Sequence, residues 1–381
     1  MPRPPDLFDM LIAAQRGDPV DRNAMRARTR TAVAECVRQQ ADAGIDVVSD
    51  GEQGKPGFYV YLKDRLKGME GIERSPSPWV NPDFPGYNEW RERRGQHGGG
   101  PPANRPVCIG PLAWGDRSAL QADIDNLKAA LTDLDVVEAF IPSASVSLVA
   151  QRIENRYYPS YEAYLAAIVD VMSVEYRAIV EAGLIVQIDS PEMAIERSQP
   201  EFRDRPLSAF KKRQAQWVEA LNQALHGIPE ERVRFHICWG NNEAPHTRDV
   251  PLRDVIDMVL EINAGAYVIE ASNPRHAHEW RVWQDVKLPD GKVLIPGTID
   301  STTNFVEHPE LVAERIVRFA GLVGRENVIA GTDCGFGTWA ITDMIYPLVV
   351  WAKLRSLAEG AQIASEQLWR ATRKTGLLAK T

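Results

Sequence analysis

The chain has 381 residues, enough for one large barrel with excursions or two ordinary domains, and 44% of them are hydrophobic and 25% charged, the balance of a folded globular protein rather than a disordered one. A net charge of −8 and a pI near 5.5 argue against nucleic acid or an anionic membrane surface as the main partner. No apolar run reaches the ~18 residues of a transmembrane helix.

The opening, Met1-Pro2-Arg3-Pro4-Pro5-Asp6, lacks the apolar core of a signal peptide, and four cysteines do not make a disulfide framework in so long a chain. Both point to a cytoplasmic protein. Helical spacing runs from Arg22 to Ala43 and stops at Gly44, and Cys36 lies within it. Ile45 to Ser49 then reads as a strand that delivers Asp50-Gly51-Glu52. Residues 75–105 are Pro- and Gly-rich with Trp79, Tyr87 and Trp90 among them, which suits a covering loop or a surface insertion packed on its own aromatics. A short strand at Val107–Ile109 holds Cys108; it and Cys36 read as buried bystanders. A helix at Ala119–Leu131 follows.

From here strand and helix alternate regularly. Strands are expected at 136–141, 184–189, 233–238, 266–270, 293–297 and 327–332, with helices at 161–182, 208–225, 252–263, 309–323 and 341–368. Strands separated by helices pair in parallel, and apolar strands that turn polar only at their C-terminal ends imply a barrel. With 45–50 this makes seven strands where a (β/α)8 TIM barrel has eight, and the missing one should precede the first helix. One domain spanning 1–381 is expected.

The strand at 233 ends in His236-Ile237-Cys238, and side chains two apart on a strand point the same way. Imidazole and thiol side by side form half of a tetrahedral zinc site. A lone H-x-C is more often core or chance. Here, however, Glu270 and Cys334 occupy matching places at two further strand ends, so the four together point to a metal. His276 and His278 share an H-x-H spacing but would diverge on a helix start, which suits supporting or surface roles. His246, on the loop after the metal strand, lies where it could reach a substrate.

With these residues in place, the chain resembles the C-terminal catalytic barrel of cobalamin-independent methionine synthase. It is more similar still to the stand-alone single-barrel proteins related to that enzyme, including the epoxyalkane:coenzyme M transferases. The matching landmarks are Asp50-Gly51-Glu52, Gln187-Ile188-Asp189-Ser190-Pro191, His236-Ile237-Cys238, Ile269-Glu270-Ala271-Ser272, Gly297-Thr298-Ile299-Asp300 and Asp333-Cys334-Gly335, in family order across 45–337. The resemblance implies Zn2+ held by His236, Cys238, Glu270 and Cys334, with a substrate thiol that enters the coordination sphere, loses its proton and attacks an electrophilic carbon. It also implies that Glu52 and Asp189 hold the amino group of the thiol substrate, with Asp300 a third substrate-binding carboxylate. Capping or ligand-orienting roles are open to Glu52 and Asp189 as well.

Departures from the family pattern bear on the donor. Ser190 stands where methionine synthase usually has Glu. No His follows Asp300 until His308, although the family places one there to assist departure of the folate. Ser143 to Ala150 lacks the Trp on which the pterin stacks. Relatives open with a strand ending in Gly-Ser-x-Pro-Arg-Pro, and Met1-Pro2-Arg3-Pro4 begins just inside it. A start assigned too late, or a truncated barrel with an open edge, follows from that reading.

The expected activity is zinc-dependent transfer of an alkyl group, methyl foremost, to a small-molecule thiol, with methyl-folate one candidate donor. The alternatives are thiol addition to an epoxide, a non-catalytic zinc-stabilised barrel that binds a thiol, and a relative of uroporphyrinogen decarboxylase, which needs no zinc. The last does not account for His236, Cys238 and Cys334 together. Neither nucleic acid nor membrane is expected as a partner.

Overall fold

The computed structural model describes residues 1–74, 83–93, 104–198, 204–337 and 345–378. Its centre is a curled parallel sheet of seven strands: β1 (Val47–Ser49), β2 (Glu138–Ala144), β3 (Ile185–Asp189), β4 (Val233–Ile237), β5 (Ala266–Ile269), β6 (Val293–Ile299) and β7 (Gly331–Thr332), paired in that order. Parallel pairing of neighbours follows from the helices between them, and the register sets Asp189 beside His236 and Val268 on the other side of His236. All seven C-terminal ends therefore meet at one rim. This is the TIM-barrel architecture, with seven strands described.

The sheet's edges are β1 and β7, which do not pair with each other. At the rim the seam is bridged by the first residues. The Met1 ammonium donates to Gly51 O at 3.1 Å, and Arg3 donates to Gly337 O at 3.2 Å, Glu52 O at 2.8 Å and Lys55 O at 2.7 Å.

The helices form where apolar spacing and caps agree. In Tyr161–Glu181 the Ser160 hydroxyl caps Ala163 N–H, and Tyr164, Leu165, Ile168, Val169 and Met172 form the buried face. In Arg22–Asp42 Asp21 caps Asn23 and Ala24, and Val33, Cys36 and Val37 are buried. A helix at Pro5–Arg16 escaped the sequence reading, although Pro5 opens it and Gly17 closes it in the left-handed region.

Three expectations need correction. The 252–263 helix is a 3-10 turn at Leu252–Asp254 and a short helix at Ile256–Leu260, because Val255 between them leaves helical geometry at φ −123°. The last strand shortens to Gly331–Thr332, with an isolated bridge from Val328 to Leu294. The 341–368 helix is described from Pro347 to Leu378, and 341–344 lie outside the described residues.

Of the 75–105 excursion, residues 75–82 and 94–103 lie outside the described residues. The remainder includes a helix, Tyr87–Arg93, and rests on the loop after β4. Tyr87 donates to Glu243 O at 3.0 Å, Thr247 donates to Asp83 at 2.9 Å, and Arg248 pairs with Asp83.

Candidate metal centre

The strand ends bring three ligand types together at the rim. One donor atom each from His236, Cys238 and Cys334 lies within 4.8 Å of the others, and all three side chains are buried. His236 Nε2 stands 3.5 Å from Cys334 Sγ. Glu270 approaches from the end of β5, with Oε1 at 3.2 Å from Cys334 Sγ. Its Oε2 accepts from Trp239 N–H and Asn273 Nδ2, each at 3.4 Å, which fixes the carboxylate's orientation. Glu270 is thus beside the three-residue group rather than within mutual reach of all of it.

Crowding of anionic donors in a dry space governs their protonation. The Cys334 thiol donates towards Cys238, and His236 adds a second contact, so the Cys238 thiol is held well below its usual range. The same contact, with burial, pushes Cys334 well up. Burial first, then the charges of Cys238 and Asp333, push Glu270 well above 4.5. These groups cannot all ionise without a compensating cation. One nitrogen of His236, Nδ1, is buried without a hydrogen-bond partner among the described residues. Imidazole, two thiols and a neighbouring carboxylate are a donor set that fits zinc.

Around them Asp333 acts as a clamp. Its Oδ1 accepts from the N–H groups of Ala271 (2.8 Å) and Ser272 (2.9 Å), and its Oδ2 from Asn273 N–H (2.8 Å) and Asn273 Nδ2 (3.1 Å). One buried side chain therefore ties the turn after Glu270 to the residue before Cys334. Gly297 makes this possible, since a Cβ there would stand 1.9 Å from Asp333 Oδ1. Asn241 adds a second tie: it donates to Gly335 O at 2.6 Å and accepts from Ser301 at 2.8 Å.

The two predicted amine-binding carboxylates reach the same space. Glu52 lies on a turn in the left-handed region, φ +53°, and lines a cavity of about 1180 Å3 together with Asp189, His236, Cys238 and Cys334. Asp189 Oδ1 accepts from Gln187 at 3.0 Å. Burial pushes its carboxyl up to about 7, against the pull of His236 and with the push of Glu52. Asp300 behaves differently. Its Oδ1 takes Thr302 N–H and hydroxyl and its Oδ2 the Thr303 hydroxyl, so its own loop consumes it, and it is absent from the cavity wall.

Sequence reasoning missed the chain of side chains behind the centre. His276 stacks on Trp239 with ring centroids 4.0 Å apart, and its nitrogens meet Glu279 and Asp249, each at 3.0 Å. Asp249 also bonds His246 Nδ1 at 2.9 Å. His246, at φ +50°, lines the cavity, and its Nε2 faces Asn242 O at 3.0 Å. The H-x-H spacing pointed towards His276, but nothing in the sequence pairs it with Asp249. His308, the first His after Asp300, caps the helix Pro309–Val323 through Glu310 N–H.

No family model matches the chain. A methionine synthase of Thermococcus kodakarensis is 22% identical over 348 residues, covering 91% of this chain and 85% of its own length. A 2-hydroxypropyl-CoM lyase of Xanthobacter autotrophicus is 22% identical over 375 residues, with 89% and 86% covered. Among solved structures, a B12-independent methionine synthase from Shewanella sp. W3-18-1, in complex with selenomethionine, superposes with a TM-score of 0.70 at 19% identity over 92% of both chains. The likeness to the B12-independent methionine synthases and their coenzyme M-linked relatives, read above from six ordered motifs, thus extends over about nine-tenths of the chain in sequence and in fold.

Proposed function

We propose that the chain transfers an alkyl group, methyl foremost, to the sulfur of a small thiol such as homocysteine, at a zinc site made by His236, Cys238 and Cys334 with Glu270 completing it. The observation that carries this is the convergence of three soft donors on the wall of a large cavity at the C-terminal rim of a barrel, the end where such folds do chemistry. Zinc, when bound there, lowers the pKa of a ligating thiol so that the nucleophilic thiolate exists at neutral pH.

The chain's own residues do the rest. Asp333 and Asn241 hold the loops that carry Glu270 and Cys334, so the donors are positioned before any ligand arrives. Glu52 and Asp189 offer carboxylates to the ammonium of an amino-acid thiol. Burial pushes the Asp189 carboxyl up to about 7, and a docked ammonium would favour its ionised form. As the new S–C bond forms, the bond from that carbon to its leaving atom breaks, and the leaving atom takes the electron pair. Trp239, buried and stacked on His276, gives the wall beside the donors an apolar surface.

A second reading, addition of the thiol to an epoxide, uses the same nucleophile. It is favoured by the likeness to a 2-hydroxypropyl-CoM lyase and by the lack of a His at 301–303 and of a Trp at 143–150, where the folate-dependent pattern has them.

Metal analysis of the purified protein alongside Cys238→Ser and Cys334→Ser tests the site. One zinc per chain in the wild type and its loss in both variants is expected, and full retention in both would refute it. Mass analysis of homocysteine or coenzyme M incubated with a methyl donor or an epoxide then separates the two readings: a thioether from the first supports transfer, and a hydroxyalkyl thioether from the second supports addition.

A further inference from the structure

Alkyl transfer as proposed leaves one proton without a source. The leaving atom departs with an electron pair, and an alkoxide or a deprotonated amine is too basic to depart unaided. Asp300 does not supply the proton, because Thr302 and Thr303 take up its carboxylate and it is absent from the cavity wall.

One group on that wall is suited to the task. His246 lies on the loop after β4, its side chain 16% exposed, and lines the cavity with His236, Cys238 and Cys334. Gly240, two residues past Cys238, lets the ring come close: a Cβ on that glycine would stand 3.9 Å from His246 Cε1. Other titratable side chains of the wall fit less well. Asp46 precedes β1, at the far end of the barrel, and Glu52 and Asp189 face the ammonium of the thiol substrate. Burial pushes the phenols of Tyr59 and Tyr161 up, and guanidiniums hold their protons too tightly.

The bonds of His246 load it with protons. Its Nε2 faces Asn242 O at 3.0 Å, an atom that can only accept, so this nitrogen carries a hydrogen. Its Nδ1 faces Asp249 Oδ2 at 2.9 Å. Burial and the charge of His276 work against an imidazolium here, but the bonds to Asp249 and Asn242 outweigh them. Arg248, on the same loop, is paired with Asp83. Behind the ring, Asp249 also meets His276 Nε2, and His276 Nδ1 meets Glu279, each at 3.0 Å. Glu279 is itself fixed by Leu252 N–H at 2.8 Å. Carboxylate and imidazole thus alternate along a line that ends at His246 Nε2, whose partner is a neutral carbonyl on the cavity wall. The backbone of His246, at φ +50°, is in the left-handed region that a residue with a side chain seldom adopts, as is that of Glu52 on the same wall.

We propose that His246 is the acid of the reaction, passing its Nε2 hydrogen from Asn242 O to the leaving atom of the alkyl donor. This rests on the alkyl-transfer reading. As the carbon's bond to the leaving atom breaks, that atom takes the electron pair and the proton. The N–H bond breaks in the same event, the imidazole is left neutral, and the medium returns a proton to it. The thiol gives up one proton when it binds, so thiol and donor yield thioether and protonated leaving group with no net change in protons.

Donors whose leaving groups differ in basicity test this. Iodide leaves methyl iodide without a proton, whereas opened epoxypropane and the tetrahydrofolate of methyl-folate each need one. Thioether formation from homocysteine or coenzyme M is timed with the zinc-loaded protein. The wild type should use methyl iodide and at least one of the two protic donors. In His246→Gln the rate with the protic donor, relative to that with methyl iodide, should fall at least about 100-fold, the low end for a positioned acid. Added imidazole should restore part of that ratio in His246→Ala, which serves also if the first variant does not fold. An unchanged ratio, or a wild type that uses methyl iodide and neither protic donor, would overturn the assignment. Nitrogen NMR of the wild type at pH 7 needs no turnover and should show both nitrogens of His246 protonated, and a neutral ring would overturn it as well. Absence of thioether from all three donors would instead sink the proposed function, and this assignment with it.

Discussion

Replacing Asp333 by Asn removes one oxygen acceptor and alters almost nothing in volume. In the wild type four donors converge on its two oxygens, three of them backbone N–H groups of residues 271–273. An amide keeps one acceptor oxygen and turns an NH2 towards the other two donors, whichever way it is rotated. Each buried donor left unpaired costs about 1–3 kcal/mol, so the two orphaned by the change cost about 2–6 kcal/mol. That is a large share of the ~5–15 kcal/mol that holds a folded protein together. The loss falls where Glu270 and Cys334 are anchored, so metal affinity should drop along with stability. Urea unfolding of the metal-free protein measures the first and competition with a chelator the second. A variant that unfolds like the wild type and holds zinc as tightly would show that the clamp is not what positions these two donors.

Gly297→Ala tests the same clamp from the other side: a Cβ 1.9 Å from Asp333 Oδ1 cannot be accommodated, so the variant should be at least as unstable as Asp333→Asn, and a well-folded one would contradict the packing. Glu270→Gln leaves the three-residue group intact and should weaken zinc by about 10–100-fold, whereas abolition of binding would make Glu270 as essential as Cys238. The pH dependence follows from His246 and His276. Burial lowers their pKa values, but the bonds to Asp249 outweigh it and raise both above 6.5. A raised folded-state value gives stability that is complete below 6.5 and lost as pH climbs through the folded value, while Asp249, lowered from 3.8 despite its burial, gives stability lost only in acid. Metal-free protein should therefore melt higher at pH 5.5 than at 8.5. His276→Gln should shrink that difference, and an unchanged difference would remove the network from the account.

The rim of the barrel was legible in the sequence because strand ends are marked twice, by an apolar run that stops and by the chemistry that begins there. The places of His236, Cys238, Glu270 and Cys334 at the rim were read this way, as were those of Glu52 and Asp189. Asp300 stands at a strand end as expected, but its bonds to Thr302 and Thr303 were not legible, because two hydroxyls nearby in sequence look the same whether they bind their neighbour or a ligand. Contacts that join distant loops leave no such mark. Asp333 meets Ala271 across 62 residues, and His276 meets Asp249 across 27. The Pro5–Arg16 helix was passed over for another reason. It buries only Leu7 and Leu11, too few positions to establish a helical period.

The central event of the proposed reaction is the joining of a substrate thiol to a metal at His236, Cys238 and Cys334. Cobalt in place of zinc makes the event visible, because each sulfur ligand contributes an absorption band. Homocysteine added to the cobalt-loaded protein should shift and strengthen that band with release of a proton to the medium. A spectrum unchanged by homocysteine, coenzyme M and other small thiols would mean that the centre binds its metal without presenting it to a substrate.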